Sequence, residues 1–140
     1  MEVTIDLLVP ELMGGSRRRT AHLGEHGNRV ARKVRGLEAA LVDNRQMTIT
    51  SLEECDPRSF QVAVAGPAAL LVAKLHKLND RVGTDRANDK DALDALRLLR
   101  AVPALELDAQ LRKLTDDPIA GEVTQEALDY LQDLFSHVSS

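Results

Sequence analysis

Three cationic side chains and one carboxylate are the residues of this sequence best placed to act together. Lys74, Lys77 and Arg81 follow helical spacing and form a row along one edge of a predicted apolar stripe. Asp91 falls in the next predicted helix, at the margin of its apolar face. A carboxylate beside a core needs a partner, because burying an unpaired charge is costly. The sequence therefore predicts an ion pair between Asp91 and this basic row, or a capping role for Asp91 alone.

The two helices that position these residues are indicated by apolar periodicity and by their ends. Pro67 suits the first turn of the first helix, Gly83 ends it, and Asn88 is a favourable N-cap for the second. The apolar positions are Ala68, Leu71, Leu75, Leu78 and Val82 in the first helix, and Ala92, Ala95, Leu96, Leu99 and Val102 in the second.

Asp6 is another candidate, because it is a single acid in an apolar segment. The segment from Val3 to Val9 alternates and predicts a strand that Pro10 closes. An acid there is unfavourable unless its face opens to solvent, a metal ion or a cation. An edge strand with one hydrated face is the alternative that requires no function.

Composition limits the function classes. The chain has 140 residues, enough for one domain with its own core, and aromatic residues make up only 2%, so the core must be Leu, Val and Ala. The single cysteine, Cys55, excludes an internal disulfide and fits a reducing cytoplasm. No apolar run reaches the length of a membrane span and the first residues lack the pattern of a signal peptide, so we expect a cytoplasmic protein without membrane contact. GxGxxG, Walker, HExxH and CxxC motifs are absent.

Charge is distributed unevenly although the net charge is only −4. Seven bases lie between Ser16 and Gly36, whereas eight acids and two bases follow Val102. The seven bases are Arg17, Arg18, Arg19, Arg29, Arg32, Lys33 and Arg35. Such a segment can bind a polyanion weakly and electrostatically. More often it is a solvated surface, or it pairs with acidic segments of the same molecule.

The order of elements predicts an α+β fold. Strands are predicted first: Val3–Val9, then a hairpin of Leu37–Val42 and Met47–Leu52, then Phe60–Ala65, with a short helix within Glu25–Arg35. We expect these to form one short mixed or antiparallel sheet of about four strands, followed by a C-terminal bundle of about four helices. Residues 1–66 would be the strand-rich part and residues 67–140 the helical part, together one compact unit.

These residues and their order resemble a nucleotidyltransferase-fold protein, in particular the minimal bacterial nucleotidyltransferases of the AbiEii type (abortive infection toxins). The resemblance is carried by TIDLLVP, by PAALLVAKLHKLNDR and by KDALD. It implies that Asp6 is a catalytic, metal-binding carboxylate and that Lys74, Arg81 and Lys90 bind the nucleotide. It also implies that Asp91 and Asp94 support the site and that a nucleoside triphosphate is the substrate. Mg²⁺ is implied as a cofactor only where further acids complete its site, and otherwise no cofactor is expected.

The sequence departs from the pattern of that family at one point. The family has a Gly-Ser turn and an Asp-x-Asp pair upstream of the third carboxylate, and a two-metal mechanism needs those acids. Only five residues precede Asp6, so we expect a fragment or a shortened member that is inactive as the isolated chain. The alternatives are a non-enzymatic module that binds nucleic acid or an acidic partner through Arg17–Arg35, and a toxin–antitoxin component. A homo-oligomer or a protein partner is compatible with each.

Overall fold

The computed structural model describes residues 2–15, 21, 31–84 and 89–136, and the architecture of this part is α+β, as predicted. The strands are β1 (Leu8–Pro10), β2 (Arg32–Val34), β3 (Asn44–Thr50) and β4 (Ser59–Ala65). The α-helices are α1 (Glu38–Val42), α2 (Pro67–Arg81), α3 (Asp89–Ala101), α4 (Ala104–Thr115) and α5 (Gly121–Ser136). One turn of 3₁₀ helix, Glu11–Met13, follows β1.

The C-terminal helices match the sequence-based expectation. Helix α2 begins at Pro67, whose missing N–H is not needed in the first turn, and it is followed by Gly83 at a φ of +73°. Asn88, the predicted N-cap of α3, lies outside the described residues. Helices α2 to α5 all lie after Gly66, which confirms a helical C-terminal part.

The expectation of one sheet of about four strands is wrong. In the described part, β1 pairs with β2 in parallel and β3 pairs with β4 in antiparallel, which makes two separate sheets of two strands. The predicted strand Val3–Val9 is reduced to Leu8–Pro10, because no described strand pairs with the residues before it. Val3 and Ile5 are 66% and 74% exposed, so their alternation is not matched by a buried face.

The predicted hairpin is also misplaced. Its first strand, Leu37–Val42, is largely the short helix α1, in which Ala39 is fully buried against the core. The hairpin that forms uses β3 and β4, with residues 51–58 as its loop. The predicted helix Glu25–Arg35 is a strand over Arg32–Val34, and its earlier residues lie outside the described part.

Helix α2 is the centre of the core. It packs against α1, α3, α4 and α5, and its residues Ala68, Leu71, Val72 and Leu75 are almost completely buried. The rest of the buried apolar cluster is also Ala, Leu and Val, as the low aromatic content predicted. None of the helices that the structure describes is both long and apolar enough to cross a membrane. The surface of α2 that faces α3 is where the predicted basic row lies.

Candidate functional site

Asp91 lies at the centre of a charged cluster between α2 and α3. Its side chain is only 2% exposed, and both carboxylate oxygens accept from cations on α2. Lys74 Nζ lies 3.0 Å and Lys77 Nζ 3.2 Å from Asp91 Oδ1, and Arg81 Nη1 lies 2.7 Å from Oδ2. The predicted ion pair is therefore present, and it involves all three members of the basic row.

Asp94 extends the cluster by one helical turn. Lys74 Nζ also donates to Asp94 Oδ2 at 3.0 Å, so this ammonium group bridges two carboxylates of α3. Arg97 Nη1 lies 3.3 Å from the other oxygen of Asp94. We refer to Lys74, Lys77, Arg81, Asp91 and Asp94 as the Asp91 cluster.

Helical geometry explains why these residues meet. Side chains three and four positions apart share one helix face, so residues 74, 77 and 81 form a row on α2, and residues 91 and 94 are neighbours on α3. Helices α2 and α3 pack against each other, and Ala95 of α3 belongs to the same buried apolar cluster as Leu71 and Leu75 of α2. Asp91 precedes Ala95 by one turn, so the packing that buries Ala95 also buries the carboxylate.

The ion pairs control the protonation of the cluster. Burial by itself raises the pKa of Asp91, but the hydrogen bonds from Lys74 and Lys77 outweigh this effect and hold its pKa below the ordinary value. Burial likewise lowers the pKa of Lys74, whereas its bonds to Asp91 and Asp94 raise that pKa above the ordinary value. Both partners therefore stay charged at neutral pH.

The Asp91 cluster carries an excess of positive charge that reaches the surface. Its three cations face two carboxylates, and Arg97 adds a further cation beside Asp94. The side chains of Lys77 and Arg97 are 46% and 69% exposed, in contrast to Asp91. An ammonium group has three N–H donors, and Lys77 uses one of them on Asp91, so it can also donate to an anion in solution.

Two other residues of the predicted site are not part of the Asp91 cluster. Asp6 is exposed in the irregular segment before β1, and no described ion pair joins it to the cations of α2. Lys90 is exposed in the first turn of α3 and, within the described ranges, makes no ion pair. No group of three His, Cys, Asp or Glu side chains among the described residues is arranged to hold a metal ion. Asp6 is thus not joined by other described acids in a group that could hold Mg²⁺.

A second charged cluster, around Arg35, was not predicted residue by residue. The Arg35 guanidinium donates to Glu126 at 2.7 and 2.8 Å, to Glu11 at 2.9 Å and to Glu122 at 3.0 Å. The hydrogen bonds to Glu126 and Glu11 raise the pKa of Arg35 further above its already high value. The uneven distribution of charge in the sequence allowed pairing of the basic segment with the acidic C-terminal part as one alternative, but it pointed to no particular residues.

Two of the seven bases of the basic segment bind to other groups of the same chain. Arg35 is held by the chain's own glutamates, and Lys33 donates to the Gly15 carbonyl at 2.7 Å. Arg32 is exposed, whereas Arg17, Arg18, Arg19 and Arg29 lie outside the described residues. The polyanion-binding interpretation therefore stays a prediction for the remaining bases.

Comparison of the chain with family models, with curated proteins and with solved structures finds no match in any of the three. The nucleotidyltransferase resemblance thus rests on the quoted residues alone.

Double-mutant cycles test the pairing inside the Asp91 cluster. We expect Asp91→Asn to couple with Lys74→Met and, separately, with Arg81→Met by about 1–3 kcal/mol in the free energy of unfolding, because the partners are in direct contact. The measurement is urea unfolding followed by circular dichroism. Lys113→Met on α4 is the matched control and should be additive with Asp91→Asn within about 0.5 kcal/mol. Additive losses in both test cycles would reduce Asp91 to a helix cap.

The lowered pKa of Asp91 predicts a pH dependence with a defined sign. The unfolded chain binds the Asp91 proton more readily than the folded chain, so this stabilisation is complete above the ordinary pKa of 3.8 and is lost as the pH falls through the folded value. We therefore expect the stability difference between wild type and Asp91→Asn to shrink as the pH falls from about 5 through 3.8 and on through the lower folded value. Asp116→Asn controls for the removal of an exposed carboxylate. A difference that stays constant or grows on acidification would contradict this role of Asp91.

Proposed function

We propose that this chain is a nucleotidyltransferase-like protein in which α2 and α3 hold the phosphates of a nucleotide, and that the isolated chain transfers no nucleotide. The observation that carries the proposal is the Asp91 cluster. A buried carboxylate fixes three cations in one row, and the row retains exposed positive charge. Of the five residues that the resemblance assigns to α2 and α3, Lys74, Arg81, Asp91 and Asp94 meet in the cluster. Lys90 lies outside it.

The role of each residue follows from its exposure. Asp91 is inaccessible to a ligand, so it positions the basic side chains and lowers the cost of keeping them in one geometry. Lys77 is the most exposed of its three cations, so it is the residue in this row that would contact a phosphate oxygen directly. Phosphate is favoured over a neutral ligand because a charge-assisted hydrogen bond is stronger than a neutral one.

The expectation that the isolated chain transfers no nucleotide depends on the number of its metal-binding carboxylates. Two-metal nucleotide transfer needs several carboxylates around the phosphates, and Asp6 is the only acid of this chain that the resemblance assigns to metal binding. Asp6 would therefore hold Mg²⁺ only together with carboxylates from elsewhere, and by itself it does not support nucleotide transfer. Participation in a toxin–antitoxin pair is compatible with this function but has no structural observation in its favour.

Calorimetric titration tests the phosphate contact. We expect wild-type protein to bind ATP weakly in EDTA and to bind adenosine more weakly still, because adenosine lacks phosphate. Lys77→Ala should weaken ATP binding about tenfold, the loss expected for one charge-assisted hydrogen bond. Lys113→Ala removes an exposed lysine from α4 and should have no effect. Equal affinities for ATP and adenosine, or equal affinities of wild type and Lys77→Ala for ATP, would contradict the contact.

An activity assay tests the second part. The isolated chain, incubated with labelled nucleoside triphosphates, Mg²⁺ or Mn²⁺ and total tRNA or protein, should yield no labelled product. The matched variant is Asp6→Ala. A product made by the wild type and lost in Asp6→Ala would show that the chain is an active transferase.

A further inference from the structure

The β3–β4 hairpin has one apolar and one polar face. Its strands pair in antiparallel from Asn44–Ala65 to Thr50–Ser59 through seven consecutive residue pairs without a bulge. Because side chains alternate along a strand, one face carries the pairs Arg45–Val64, Met47–Val62 and Ile49–Phe60, with Arg45 at the base. We call its apolar part, Met47, Ile49, Phe60 and Val62, the hairpin face. The opposite face is polar or small and includes a hydrogen bond from Gln61 to Thr48.

The hairpin face is open to solvent in the described part of the chain. Ile49 and Phe60 are 50% and 61% exposed, and Met47 and Val62 are 40% and 39% exposed. The hairpin joins the helical core at its base, where Ala65 packs against the buried cluster. A two-stranded hairpin is marginally stable in water by itself and normally needs a further layer on its apolar face.

We propose that the hairpin face is the contact surface between two copies of this chain, stacked face to face about a two-fold axis. The face is self-complementary, since Met47 opposes Val62 at its centre and Ile49 opposes Phe60 nearer the loop. A two-fold axis through this centre places the same apolar side chains of both copies against one another, as in a small β-sandwich.

The charge of the hairpin favours a second copy over a charged partner. Among the residues of β3 and β4, Arg45 is the only ionisable one, and it lies at the base of the hairpin. Arg45 lies on the same face, two residues from Met47, so a two-fold axis at the Met47–Val62 pair places the two Arg45 residues four residues apart along the strands. That separation is about 14 Å and exceeds the Debye length of about 8 Å. The copies therefore do not repel one another at this surface. A nucleic acid or an acidic protein would find only one cation there.

The area of the hairpin face determines how tightly two copies are expected to bind. Two strands of this length cover roughly 240 Å² per copy, or roughly 500 Å² for the pair, from the standard strand spacings. Stable interfaces bury at least about 1,200 Å². The dimer should therefore be weak and reversible, and should form only at high protein concentration.

Sedimentation of the full chain from about 10 μM to about 1 mM tests the proposal, because this range covers weak affinities. We expect a monomer–dimer equilibrium that shifts with concentration. The double substitution Ile49→Thr and Phe60→Thr keeps strand-favouring residues while removing apolar surface, and it should weaken association at least tenfold. Gln46→Thr with Gln61→Thr changes the opposite face equally and should leave association unchanged.

A second measurement does not depend on the variants folding. Amide chemical shifts of the wild type, recorded over the same dilution series, should change at Met47, Ile49, Phe60 and Val62. A monomer at all concentrations would overturn the proposal. So would a dimer that persists in a folded Ile49→Thr/Phe60→Thr variant, or shift changes confined to the helices.

Discussion

The burial of one carboxylate between α2 and α3 is the constraint on which the arrangement of the helices depends. Asp91 is nearly inaccessible to water, and an unpaired charge at such a position would cost several kcal/mol. Three cations from α2 remove that cost, but only while the two helices keep their present alignment. The apolar contacts bring α2 and α3 together, and the ion pairs add the requirement that the basic row of α2 lies opposite Asp91.

Other buried polar side chains, on α2 and before it, are also paired with groups of another element. His76 is buried and its Nε2 lies 2.7 Å from the Val123 carbonyl, so it links α2 to α5. Gly36 lies against the His76 ring at a φ of +100°, where an added Cβ would come within 2.6 Å of the ring. Buried Glu38 accepts hydrogen bonds from the backbone N–H groups of Leu12 and Gly36. In each case a polar side chain is buried only together with a partner from another element.

The features that follow from helical periodicity were predictable from the sequence. The positions of α2, α4 and α5, the Ala, Leu and Val core and the pairing of Asp91 with Lys74 and Arg81 depend on which residues share a helix face. The strand assignments were less predictable, because Leu37–Val42 is a short apolar run whose pattern suits a strand and a helix equally. The contact of Arg35 with Glu122 and Glu126 spans 87 and 91 residues and has no local signature. Such long-range contacts depend on how the elements pack, and no local pattern in the sequence indicates which distant residues meet.

The sheet of β1 and β2 is attached to the rest of the molecule mainly by polar contacts, whereas the helices pack through buried apolar side chains. Ala21 and Ala31 are the only buried apolar side chains described before Gly36, whereas α2 alone contributes Ala68, Ala69, Leu71, Val72 and Leu75. The first part is held instead by the ion pairs of Arg35, a side chain that is 37% exposed, and by the hydrogen bonds of Glu38. Salt screens exposed ion pairs but leaves apolar burial intact. A higher ionic strength therefore weakens the ion pairs of Arg35 with Glu11, Glu122 and Glu126. The hydrogen bonds of buried Glu38 and the helical core are much less affected.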